Sequence, residues 1–149
     1  MGPSDLVNGN LPTSFSGVCV LFGTTRAPIF AVFANQINVQ VPQVGLGSVP
    51  VQVTTQCDTP QAQTSTPIQA QIQAASPEFF YFTHNSTGQN AIAAVNAVTG
   101  AYIGAPGLVS GGSFTPAKHD DYLTLYATGF GTTNPSFAPG QLPNVAAPV

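Results

Sequence analysis

Hydrophobic and polar residues alternate with a period of two along much of the chain, most cleanly where Gln69, Gln71 and Gln73 separate Ile68, Ala70, Ile72 and Ala74. Successive side chains of an extended backbone point to opposite faces, so this stretch predicts a strand with one wet and one apolar face. Ile37, Val39 and Val41 against Asn38 and Gln40 repeat the signature, as do Val49, Val51 and Val53 against Pro50, Gln52 and Thr54. Pro50 has no N–H for a ladder, which predicts an edge or bulged position for its strand. Val18 to Phe22 is apolar on both faces and predicts a central strand, with Cys19 in the interior. Near the end, Leu123, Leu125 and Ala127 alternate with Tyr122, Thr124 and Tyr126. The 15 glycines and 14 prolines punctuate these runs. Ala91 to Ala97 has the only helix-like composition, and Gly100 follows so soon that a turn or strand is expected there. Many short strands at regular spacing without a long helix predict an all-β sandwich. Residues 110–118 and the tail 135–149, rich in Pro, Gly and small side chains, read as loop and linker.

Charge changes the picture. Lys, Arg, Asp and Glu make up 5% of the chain, against roughly 25% in ordinary soluble domains. The 47 Ser, Thr, Asn and Gln residues must supply most of the wet surface. With two basic residues and a net charge of −3, no patch exists to follow a phosphate backbone or an anionic bilayer, so nucleic-acid binding is not expected. No apolar run is long enough to span a membrane, and the N-terminus shows no basic region followed by an apolar stretch. Membrane insertion is not expected, and a secreted chain would be seen here in mature form.

Cys19 and Cys57, separated by 38 residues, lie in or at the end of strand-like runs without the spacing of a metal site. A disulfide is the natural reading, with two buried free thiols in a reducing compartment as the alternative. His119, Asp120 and Asp121 form the one cluster of ionisable groups, but neighbours on a strand face opposite ways, so a solvated strand entry is expected over a calcium site or an acid–base pair. Neither a G-x-S-x-G elbow nor a Ser, His and Asp set in recognisable context appears, and no enzyme activity, metal or cofactor is expected. Phe79, Phe80, Tyr81 and Phe82 would place two rings on each face of a strand. One pair is expected in the core and the other is a candidate contact surface for a sugar or a second subunit. Asn85-Ser86-Thr87 matches a glycosylation sequon, a short pattern frequent by chance.

Several longer strings carry a resemblance. Leu11-Pro12-Thr13-Ser14, Gly17-Val18, Ala27-Pro28-Ile29-Phe30, Gln36-Ile37-Asn38-Val39-Gln40-Val41-Pro42, Ala75-Ser76-Pro77-Glu78-Phe79-Phe80 and Asp121 to Gly131 resemble the Solibacter-type C-terminal repeat of secreted acidobacterial proteins. The resemblance covers residues 11 to about 143. It implies an immunoglobulin-like β-sandwich of the IPT/TIG type, of about seven to nine short strands with a β-rich extension, and a non-enzymatic extracellular or cell-surface module with a structural or adhesive role. In that family the string like Asp121 to Gly131 usually precedes the string like Gly17 to Phe22, as the first strand. Here it comes last. The expected organisation is therefore a sandwich lacking its first strand over 1–76, a β-rich extension over 77–120, and over 121–149 a strand completing a sandwich plus a linker. The strand Tyr122, Leu123, Thr124, Leu125, Tyr126 and Ala127 either folds back beside Val18 to Phe22 or is donated to that slot in another copy, giving a filament. The expected partners are other copies of the chain or neighbouring repeats, with polysaccharide as the alternative.

Overall fold

The computed structural model describes residues 2–86, 88 and 90–149. It is all-β and sandwich-like, and helix among the described residues is confined to a 3-10 turn at Pro3–Asp5. The chain forms two compact units: one runs to Ala74 and resumes at Thr132–Val149, and the other is Ala75–Gly131. These boundaries differ from the expected 1–76, 77–120 and 121–149. Period-two pattern reveals strands but not which strands pair, and the pairing decides the units.

The first unit is built on β1 (Val18–Phe22), β2 (Thr25–Arg26), β3 (Ile29–Val32), β4 (Ile37–Val39), β5 (Gly47–Thr55), β6 (Gln63–Thr64) and β7 (Ile68–Ile72). The nine-residue β5 is central: β1 lies along one side, with Val18 opposite Thr55 and Phe22 opposite Val51. β7 and β6 lie in succession along the other side. The register slips between β6 and β7, where Pro67 has no N–H and the Val53 N–H is met by the Ser65 hydroxyl at 3.1 Å. β3 and β4 form a separate hairpin with a bulge between Ile29 and Ala31. The core is Val20, Phe22 and Ala27, closed by Ile37, Val39, Val44, Val49, Val51, Val53 and Ile72 from the hairpin, the sheet and the loop between β4 and β5. Buried Thr54 satisfies its hydroxyl against Thr64 at 2.9 Å.

Pro50 corrects the expectation of an edge or bulged strand, since β5 has neighbours on both sides. The Pro50 carbonyl accepts the Gly23 N–H at 2.7 Å, so its missing N–H points to the place where β1 has already reached its turn. The ladder loses one bond at its very end.

The slot beside β1 is also filled differently from the expected organisation. Thr25–Arg26 pairs with Leu21 and Phe22, the Ala27 N–H donates to the Val20 carbonyl, and Phe15 bridges Val18. The chain thus covers the outer side of β1 with its own following and preceding residues. The tail is no free linker: the Leu11 N–H donates to the Gly140 carbonyl at 2.8 Å, and the Gly140 N–H donates to Gln40 Oε1 at 2.7 Å. Such loop bonds need no alternation of side chains, so period-two reading does not detect them.

The second unit holds β8 (Glu78–Phe79), β9 (Ala94–Asn96), β10 (Tyr102–Ile103), β11 (Phe114–Thr115), β12 (Leu123–Leu125) and β13 (Ala127–Thr128). Its larger sheet has the order β11-β10-β9-β12, with β10 and β11 parallel and the other pairs antiparallel. β13 pairs β8. Asn96 ends β9 because its carboxamide oxygen accepts the N–H groups of Val98 and Thr99, which starts the turn completed at Gly100.

Candidate functional site

Cys19 and Cys57 are joined in a disulfide with a Cα separation of 5.9 Å, within the usual range. Both are buried, and the bond ties β1 to the loop that follows β5. Asp58, in the left-handed region at φ 66°, receives a bidentate pair of bonds from Arg26 at 2.6 and 3.1 Å. The shared hydrogen bond pushes the Arg26 pKa up and the Asp58 pKa down. Cys19, Cys57 and Asp58 bring metal-ligating atom types together, but the sulfurs are bonded to each other and the carboxylate to Arg26. The cluster is a cross-link. A disulfide indicates an oxidising setting, and among the described residues no helix is long and apolar enough to cross a membrane.

His119 and Asp120 pair at 2.8 Å in full exposure, while the Asp121 carboxylate accepts the Lys118 N–H at 2.7 Å. This is a solvated turn leading into β12. The first two residues of the sequon Asn85-Ser86-Thr87 are exposed, and Thr87 lies outside the described residues.

The remaining candidates meet in one place. The strand residues Tyr122 to Ala127 and the aromatic run Phe79 to Phe82 are hydrogen-bonded neighbours: Phe79 pairs Ala127, and the Phe80 N–H donates to the Tyr126 carbonyl at 2.9 Å. The aromatic run does not send a full pair of rings inward. Phe82 packs edge-on against Phe114 and Tyr102 at 5.0 and 5.5 Å, whereas Phe79, Phe80 and Tyr81 stay exposed. The expected core pair is thus reduced to Phe82, because the run leaves β13 after Phe79 and meets residues 91–93 instead. The Tyr81 hydroxyl donates to Glu78, and that bond raises the phenol above its ordinary pKa. Phe130, between two glycines, belongs to no alternating run. It lines a shallow hollow of about 200 Å³ with Pro77, Glu78, Phe79 and Ala127.

The strand from Tyr122 is an edge. Its inner side bonds first to β9, through Ala97 N–H to Tyr122 carbonyl and Tyr126 N–H to Ala93 carbonyl, and then to Phe80 and β8. Backbone groups alternate sides along a strand, so the inward Tyr122 and Tyr126 set the phase. The N–H and C=O groups of Leu123 and Leu125 point to the outer side, where the sheet ends. The side chains of this edge are exposed as well: Tyr122 by 76%, Leu125 by 50% and Tyr126 by 47%. Among the described residues this edge has free outer backbone groups, no charge and no proline, and such an edge is a template for another strand.

No family model, curated protein or solved structure matches this chain.

Proposed function

We propose that the protein is a non-enzymatic, secreted or cell-surface structural or adhesion module, immunoglobulin-like in its sandwich, that associates with copies of itself by strand pairing. The resemblance to the Solibacter-type repeat supports the extracellular module, and the Cys19–Cys57 disulfide fits that compartment. The observation that carries self-association is the open, uncharged, exposed edge at Leu123–Leu125. Pairing uses that edge and not the slot beside β1, which Thr25–Arg26 occupies.

Sedimentation velocity over a concentration series tests this. Association that rises with concentration in the wild type and disappears in Leu125→Lys is the expected result. A wild type that remains monomeric at its highest soluble concentration overturns the reading. A polysaccharide-binding role is the second reading, favoured by the adjacent exposed rings of Phe79, Phe80 and Tyr81. Retention on immobilised polysaccharides, lost in Phe80→Ala, tests it.

A further inference from the structure

We infer that two copies pair antiparallel along this edge about a two-fold axis through Thr124, giving a closed dimer. The inference rests on the edge-pairing reading above and adds its register and symmetry. The edge reads Tyr122-Leu123-Thr124-Leu125-Tyr126, the same in both directions. An antiparallel partner presents its residues in reverse order, so a second copy centred on Thr124 offers Leu to Leu and Tyr to Tyr. No other register of the strand with itself does so along its whole length.

The backbone phase agrees with that centre. Thr124 turns its N–H and C=O inward to Val95, so two Thr124 residues on the axis form a non-hydrogen-bonded pair with Cα atoms about 4.5 Å apart. Leu123 and the Leu125 of the second copy then face each other as a hydrogen-bonded pair and exchange N–H···O=C bonds, and the axis repeats the exchange. All the outward backbone groups of the leucines are satisfied. The leucines of both copies cluster on one face, while the tyrosines and threonines line the other.

Charge and continuity favour a second copy over an unrelated strand. The same register sets Asp121 opposite Ala127, so no carboxylate meets a carboxylate across the axis. The contact continues the β11-β10-β9-β12 sheet from one copy into the other. An isologous contact consumes the same edge in both copies, so it closes at two. A filament would need a different surface.

Cysteine cross-linking under mild oxidation, read on non-reducing gels, tests the register. Thiols introduced by Thr124→Cys lie within disulfide reach across the axis, whereas those of Tyr122→Cys are farther apart than the roughly 7 Å limit on Cα separation. The native Cys19 and Cys57 are buried and bonded, which keeps them out of the exchange. Thr124→Cys is expected to form a covalent dimer. Tyr122→Cys and Tyr126→Cys are each expected to lose it alone and regain it when mixed. Failure of Thr124→Cys to cross-link, while wild-type association is still abolished by Leu125→Lys, overturns the two-fold register and leaves edge pairing standing. Absence of any wild-type association overturns both.

Discussion

The two units differ in how each holds itself together. The first contains Leu11, Cys19, Val20, Phe22, Ala27, Ile29, Thr54 and Cys57 among its buried side chains, a nine-residue central strand, a disulfide and an ion pair. The second has only Ala94 and Phe114 among the buried side chains of its described residues, and strands of two or three residues. Yet the second carries the exposed edge and the exposed rings. Apolar surface left uncovered in a small unit is stabilisation not yet realised, and a partner that covers it contributes both to binding and to folding. Among the described residues the first unit buries the larger set of side chains, whereas the second leaves most of its aromatic rings exposed.

The comparison is broken most severely by removing what is special to the first unit. Replacing Cys19 and Cys57 by Ala should cost about 4 kcal/mol on the chain-entropy account of a loop this long. Hydrogen exchange read by peptide should show the loss over β1 and β5, with β9 and β12 unchanged. Next, Phe114→Ala removes the ring on which Phe82 and Tyr102 pack, and should cost roughly 3 kcal/mol. Here the exchange pattern should reverse, with β9 to β12 opening while β5 stays protected. Gly129→Ala should cost roughly 2 kcal/mol, because Gly129 sits at φ 79° and an added Cβ would meet the Ser76 carbonyl oxygen. Its thermal melt should lose stability in the second unit alone.

The smallest effect concerns pH. Asp58 is held below its ordinary pKa by Arg26, so its folded form binds a proton less readily than its unfolded form. That contribution is present above the unfolded value of about 4 and is lost as pH falls through the lower folded value. Both groups are exposed, so the loss should be slight. It appears as an acid-side fall in melting temperature that Asp58→Asn flattens.

Much of this fold was legible where one face is wet. The alternation of Gln69, Gln71 and Gln73 with apolar neighbours marks β7 at Ile68–Ile72, and the two-sided apolar run marks β1. The position of Pro50 was not legible, since a missing N–H is harmless or costly according to where a strand 27 residues earlier turns at Gly23. The return of the tail escaped for a related reason, as Gly140 docks through backbone bonds to Leu11 and Gln40. For the candidate site, Tyr122 to Ala127 is legible by its alternation and Phe79 to Phe82 by its run of aromatic residues. Their adjacency depends on the long-range pairing of Phe79 with Ala127, which composition does not encode.

The docking of the tail has a mechanical consequence. Asn10 bridges Gln141 and Leu11 bonds Gly140, so the early and late segments of the first unit are clamped to each other. The inserted second unit begins at Ala75 and ends at Gly131, inside the loop that this clamp closes. Tension applied to the chain before Asn10 and after Gln141 is therefore carried by the clamp and does not reach Ala75–Gly131 until it parts. Under such tension the clamp acts as a mechanical fuse. Single-molecule extension should show an early rupture before the second unit lengthens, and Gln40→Ala, which removes the side-chain bond to Gly140, should lower its force.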